Sequence, residues 1–429
     1  MRGPTLLLMG FMDETEQSQW FDALRRVLDR SHLWTPEDIS PSVNAAVAQL
    51  DLRARVWLVD YEQVALRVLA EPGEEMPDPM LIDGSLPGRA FARVETMPAH
   101  GGRDGARRWW VPMLDGTDRL GVIEFVASPD RDPGDRQFIR HCELLAGLVG
   151  HLVATISARG DLVDRVRRTR PMATASELLW RLLPPLTSST DRVAVSAILQ
   201  PCYEVGGDGF DYTLDGTTAN LVILDAVGRG LRAGLACAVA LAAIRATRNA
   251  GGGLYDQARA ADAALTEQFP DTRFATAVLA QLDLDCGRLR YINAGHPAPL
   301  LLRGGRLVGE LKGAGRMPLG IDDASVEVGE QILEPDDRLL FYTDGVTEAR
   351  TADGDRFGLG RLVDLAEQHE STGLPPPETL RRLAQAVVDH QSGPPTDDAT
   401  LMMVQWSTSA ALNTMPKAGQ SMREDNPRS

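Results

Sequence analysis

Four aspartates in this 429-residue chain share one local context. Asp208 stands in the stretch E-V-G-G-D-G-F-D-Y-T, from Glu204 to Thr213, just after an apolar run. Asp225 closes the apolar run Leu221–Leu224, and Asp344 follows Leu339–Thr343 and precedes Gly345. Asp397 lies in T-D-D, Thr396 to Asp398, immediately before the apolar run Ala399–Trp406. A single acidic turn is unremarkable, because Asp and Gly are ordinary turn residues. Four of them bracketing apolar strands imply carboxylates gathered at one edge of a sheet sandwich. Acids so placed repel one another unless cations neutralise them. Oxygen donors without His or Cys suit Mg²⁺ or Mn²⁺. Two such ions, about 3.5 to 4 Å apart, share a carboxylate and orient a water between them. Asp398 adjoins Asp397.

These acids need strands and turns to hold them. Val193–Gln200 alternates as a strand does, and Asp215–Gly216 makes a hairpin turn into the Leu221–Leu224 strand. The small-residue run Leu231–Ala246 reads as a helix able to pack closely on a sheet. Phe274–Leu284, Leu289–Asn293, Leu339–Thr343 and Ala399–Trp406 read as strands, and 360–370 and 378–390 as helices. A helix over Thr174–Leu183 ends in L-L-P-P-L.

The first third of the chain has its own pattern. Helical spacing runs through Trp20, Leu24, Val27 and Leu28, and a second helix covers Ser42–Leu50. Ala54–Val59 and Val64–Ala70 read as neighbouring strands, G-S-L-P-G-R-A-F (84–91) as a turn into a short helix. Strands at Arg108–Pro112 and Leu120–Val126 flank the turn Asp115–Gly116. Trp109 and Trp110 are candidates to line a ligand pocket, although strand alternation turns at least one into the core. A helical stretch over 135–168 carries Leu145, Leu148, Leu152, Ile156, Leu162 and Val166. That spacing fits a coiled-coil dimer seam or packing against the first domain.

Composition narrows the function. The formal net charge of −16 excludes nonspecific nucleic-acid binding as a leading role. No run reaches the roughly 18 apolar residues of a membrane span, and the N-terminus lacks a signal-peptide cleavage site. Cys142, Cys202, Cys237 and Cys286 form no C-x-x-C pair, so a reducing cytoplasm is expected and no zinc site or disulfide framework is suggested.

Taken together, the motifs of the span 170–406 resemble the PPM-type metal-dependent serine/threonine protein phosphatases, in the branch typified by stage II sporulation protein E. They are L-L-P-P (182–185), E-V-G-G-D-G-F-D (204–211), L-D-A-V-G-R-G (224–230), F-A-T-A-V-L-A (274–280), Y-I-N-A-G-H-P-A-P (291–299), M-P-L-G (317–320), F-Y-T-D-G-V-T-E-A (341–349) and D-D-A-T (397–400). G-S-L-P-G-R-A-F and W-V-P-M-L-D-G-T-D-R-L-G-V-I-E-F (110–125) give the first region a resemblance to GAF sensory domains. The fold class implied is α+β: a GAF-like domain over 20–155, a helical linker over 156–186, an α-β-β-α sandwich of two antiparallel sheets over 187–406, and a disordered tail over 407–429.

The resemblance implies further that Asp225 bridges two Mn²⁺ or Mg²⁺ ions, that the Ala226 carbonyl binds one, that Asp344 and Asp397 bind the other, and that Asp208 holds metal-bound water or a metal. Within the D-D pair it points to Asp397, with Asp398 in support. The implied substrate is a phosphorylated anti-sigma factor antagonist, with an unidentified small ligand on the sensory domain and a homodimer as the assembly. Three positions need separate comment. Arg229 replaces a common histidine and contacts either a phosphoryl group or a surface acid. Gly209 replaces an aromatic and loosens the turn. His296 aids proton transfer or makes a structural hydrogen bond. The rival reading is a degenerate domain acting as a scaffold; a third is a hydrolase of small phosphate esters.

Overall fold

The computed structural model describes residues 14–99, 105–200, 203–204, 206–269, 274–321, 323, 327–391, 397–409 and 414–416. The polar tail thus lies outside the described residues except for 407–409 and 414–416. Contacts divide the chain into two units, the main boundary falling between Arg167 and Arg168, with Gly116–Asp118 grouped with the second unit and Pro416 with the first.

The first unit opens with α1 (Glu14–Ser31) and α2 (Ile39–Val47), then β1 (Arg53–Val59), β2 (Ala65–Val68) and β3 (Met80–Leu81). After α3 (Leu86–Arg93) come β4 (Met97–Ala99), β5 (Arg107–Asp115), β6 (Asp118–Ala127), α4 (Arg136–Ser157) and α5 (Leu162–Arg167). The six strands form one sheet in the order β3-β2-β1-β6-β5-β4. Both faces are covered, so neither strand tryptophan is left to a pocket. Trp109 packs under α1, α2 and α4, and Trp110 packs with Trp57 and Phe91 of α3 on the other face. Cys142 is buried in the same core, and His141 stacks on Trp20, which makes both packing residues.

The helical stretch is not continuous. It breaks at Ala158–Asp161 between α4 and α5. Leu145 and Ile156 are fully buried, and Leu148, Leu152, Leu162 and Val166 pack against the same core. The spacing that fits a dimer seam is used inside this unit. By length and composition α4 could cross a membrane, but its apolar stripe is part of this core.

In the second unit, α6 (Thr174–Leu182) precedes β7 (Thr187–Ser189), β8 (Val193–Gln200), β9 (Asp208–Asp215) and β10 (Thr218–Ala226). Helices α7 (Leu231–Asn249) and α8 (Leu254–Gln268) follow. Next come β11 (Ala275–Asp283), β12 (Arg288–Ala294), β13 (Leu300–Arg303), β14 (Arg306–Glu310), β15 (Gly315–Arg316), β16 (Gly329–Ile332) and β17 (Arg338–Tyr342). The short α9 (Asp344–Glu348), α10 (Gly358–Ser371), α11 (Pro376–His390) and β18 (Ala399–Trp406) complete it.

One sheet orders β15-β12-β11-β10-β9, with β16 beside β12; the other orders β14-β13-β17-β18-β8-β7. Alternation explains the layers. Phe210, Leu221, Ile223, Val278, Phe341, Met402 and Val404 point between the sheets. Val222, Leu224 and Ala226 point out, under the small residues Ala236, Cys237 and Ala240 of α7. On the far side Leu340, Leu401 and Met403 meet α9, α10 and α11. The result is an α-β-β-α sandwich.

Candidate active site

The acids converge at one end of the sandwich because of where they sit on their strands. Asp208 is the first residue of β9 and Asp225 the last but one of β10, and the two are direct partners across the antiparallel ladder. By parity Asp225 shares the inner face with Leu221 and Ile223. Asp344 begins α9 directly after β17, and Asp397 and Asp398 lie just before β18. These last two strands pair with each other in the opposite sheet, from Arg338↔Gln405 to Tyr342↔Leu401.

Asp208 joins the sheets. Its buried Oδ2 accepts hydrogen bonds from the Thr343 hydroxyl (2.7 Å) and the Thr400 hydroxyl (2.6 Å). Thr343 Oγ1 in turn accepts from the Thr400 amide at 2.9 Å. Neither threonine was marked by the sequence, though T-D-G and D-D-A-T contain them.

Asp398 and Asp397 divide their work. Asp398 is buried, and its Oδ2 accepts from the amides of Gly206, Gly207 (2.8 Å) and Asp208 (3.2 Å). It fastens the G-G-D turn through that one oxygen. Asp397 is exposed, as is Asp344. Gly345 lets these two segments meet: a Cβ there would lie 1.8 Å from the Asp398 carbonyl oxygen.

The second aspartate of the opening stretch leaves the site altogether. Asp211 points out of the sandwich and binds Arg245 (2.6 Å) and Arg248 (2.8 Å) of α7. Strand parity separates it from Asp208. Gly209 does not loosen a turn. It lies in β9 under α7, where a Cβ would stand 2.5 Å from the Cys237 sulfur, so the glycine sets how closely the helix approaches. Arg229 is exposed and makes no salt bridge among the described residues. His296 is buried, with Nδ1 2.8 Å from the Thr276 hydroxyl, and Thr276 is the ladder partner of Asp225. Burial lowers its pKa to about 3, so it stays neutral and structural.

The electrostatics follow from five carboxylates without a cation. Burial first, and then the charges of Asp225 and Asp398, hold Asp208 well above the usual carboxylate range. Burial, followed by Asp344, Asp397 and Asp398, pushes Asp225 up to about 7. Asp398 rises to about 6 through burial, against the pull of its three amides. Asp344 is raised by burial and by Asp397 and Glu348. Among the described residues no three of these side chains form a closed ligand cage. The donor set is nonetheless all oxygen and strongly self-repelling, which fits hard divalent cations. Among the described residues, Cys237 is buried with its thiol pKa raised by burial, and the Thr343 and Thr400 hydroxyls are committed to Asp208.

Comparison with known proteins agrees with this geometry. Residues 215–407 match the stage II sporulation protein E (SpoIIE) family. The chain is 30% identical over 140 residues to protein IcfG of Synechocystis sp., covering 32% of this chain and 22% of that one. It is 24% identical over 234 residues to the phosphoserine phosphatase RsbU of Bacillus subtilis, covering 54% of this chain and 68% of that one. The chain thus spans about a fifth of IcfG and about two thirds of RsbU. Among solved structures, the RsbU and RsbW domains of a Mycobacterium tuberculosis protein give a TM-score of 0.45 at 27% identity, covering 50% of this chain and 62% of that one. The C-terminal half is therefore a domain of the SpoIIE family, within the PPM/PP2C-type protein serine/threonine phosphatases.

Proposed function

We propose that this chain is a divalent-metal-dependent phosphoserine and phosphothreonine protein phosphatase of the cytoplasm. The carrying observation is the gathering of Asp208, Asp225, Asp344, Asp397 and Asp398 at one sandwich end, with Asp225 raised to about 7 by burial and then by its acidic neighbours. Asp225, Asp344, Asp397 and the Ala226 carbonyl would hold two Mn²⁺ or Mg²⁺ ions, and Asp208 would complete the set. Bound there, the ions lower the pKa of water and offset charge developing on the phosphoryl oxygens. The protein's own part is positional. Asp398 holds the G-G-D turn, Asp208 locks β9 to the β17–β18 end through two hydroxyls, and Thr276 with His296 backs Asp225. In the reaction we propose, the phosphorus–oxygen bond to the substrate side chain breaks as one to water forms, and the proton that water gives up goes to the departing side-chain oxygen.

The likeness to RsbU, a phosphoserine phosphatase, supports a phosphoserine substrate, and the substrate protein we propose is a phosphorylated anti-sigma factor antagonist. We read the N-terminal α/β unit as a GAF-like sensory domain. A cavity of about 490 Å³ in it, lined by Asn44, Arg53, Arg55, Arg108 and Glu124 among others, would take a small polar ligand.

The test is hydrolysis of p-nitrophenyl phosphate and of a phosphoserine protein with Mn²⁺, with Mg²⁺ and with chelator. Metal-dependent turnover that drops about a hundredfold or more in Asp225→Ala and Asp344→Ala is expected. Turnover indifferent to chelator or to both substitutions refutes the reading.

A further inference from the structure

The chain carries 60 acids against 44 basic residues, yet the start of α7 is basic and apolar. Arg229 and Arg232 are both exposed, and neither forms an ion pair among the described residues. The other arginines of this helix behave differently: Arg245 and Arg248 are both tied to Asp211. Helix stability does not account for the unpaired pair. The first turn of α7 has no acidic residue and Gly230 supplies no side-chain cap, and cations at a helix N-terminus oppose its dipole.

Between and beyond these arginines stand Leu231, 47% exposed, and Leu235, 39% exposed. They lie one turn apart and so present one face. Core packing does not require them, because Ala233, Ala236, Cys237 and Ala240 bury the opposite side. The patch starts four residues after Asp225 and is joined to it by the short segment Ala226–Gly228.

We infer that Arg229, Leu231, Arg232 and Leu235 form the docking surface for the phosphoprotein substrate, gripping a segment with acidic and apolar side chains next to its phosphorylated residue. The inference rests on the phosphatase reading and adds where specificity comes from. Charge complementarity selects this occupant: an unpaired cationic and apolar face, continuous with the acid site on an otherwise acidic chain, suits an acidic phosphoprotein. Two arginines steer such a partner, and two leucines desolvate against it.

The experiment compares wild type, Arg232→Glu and Leu235→Ser in Mn²⁺. The substrates are p-nitrophenyl phosphate, serine-phosphorylated casein as an acidic protein probe, and two phosphoserine peptides with acidic or lysine flanks. The expected result is a fall of about tenfold in the casein to p-nitrophenyl phosphate ratio of kcat/KM for each variant. Arg232→Glu should also reverse the preference between the two peptides. An unchanged ratio and unchanged peptide preference overturn the inference. So does a loss of dimer in light scattering that parallels the activity change, which would give the face to a second copy. Absence of wild-type turnover on every substrate would instead remove the phosphatase reading itself. Both positions are exposed, so equal circular-dichroism melts identify folded variants.

Discussion

Replacing Asp225 by asparagine should stabilise the metal-free protein while abolishing its activity. Burial and the acids at 344, 397 and 398 push the Asp225 carboxyl from its ordinary 3.8 to about 7. At about 1.4 kcal/mol for each tenfold change, that displacement corresponds to about 4 kcal/mol. The site opens to water at Asp344 and Asp397, and screening there cuts the figure to about 2 kcal/mol. The sign follows from proton counts. Between pH 3.8 and about 7 the folded state keeps a proton that the unfolded state gives up. This group's contribution is therefore full below the unfolded pKa and is lost as pH rises through the folded one. Asp225→Asn has no such titration. In chelator, its advantage over wild type should grow from near zero at pH 4 to about 2 kcal/mol at pH 8. Urea unfolding followed by circular dichroism measures it, using the transition that Mn²⁺ shifts in the wild type. Mn²⁺ should stabilise the wild type far more than the variant. A variant less stable than wild type at pH 8 in chelator, or a difference that ignores pH, refutes the argument.

Other substitutions probe the supports. Asp398→Ala strands three backbone amides and should cost about 2 to 4 kcal/mol, read as a drop in urea midpoint, with a parallel loss of metal-stimulated turnover. Gly345→Ala drives a Cβ to 1.8 Å from the Asp398 carbonyl oxygen and should destabilise by about 3 kcal/mol, measured by thermal melting. Gly209→Ala should cost about 1 to 3 kcal/mol through its 2.5 Å approach to the Cys237 sulfur. Adding Cys237→Ala should recover much of that loss, and a strictly additive double variant would show that the two do not touch. Thr400→Val removes one donor from buried Asp208 and should cost about 1 to 2 kcal/mol, with crystallography showing whether Thr343 keeps its bond.

Much of this site was readable from the chain because each acid adjoins a long apolar strand. Val193–Gln200 and Ala399–Trp406 form strands with those bounds, since unbroken apolar runs leave little choice of state. What escaped was small, or decided by tertiary contact. Helix α8 lies in an alanine-rich segment with no strong periodic stripe, and β7, β14, β15 and β16 are too short for alternation to register. Asp208 and Asp211 look alike in sequence and are parted only by which face of β9 each occupies. The threonines that hold Asp208 come from positions 135 and 192 residues away, a distance no local pattern spans.

The bond from Asp398 to the G-G-D turn also spans the chain, with 190 to 192 residues between its partners. Synthesis runs from the N-terminus, so Asp208, Asp225 and Asp344 leave the ribosome long before the residue that clasps the first of them. A nascent chain halted short of Asp398 carries most of the acids but leaves the turn at 206–208 unfastened, and β8 without its neighbour β18. The end that carries the acids is closed last, as a box is closed by its lid. Closing so long a loop is entropically slow, and it makes completion of the polypeptide a condition for activity.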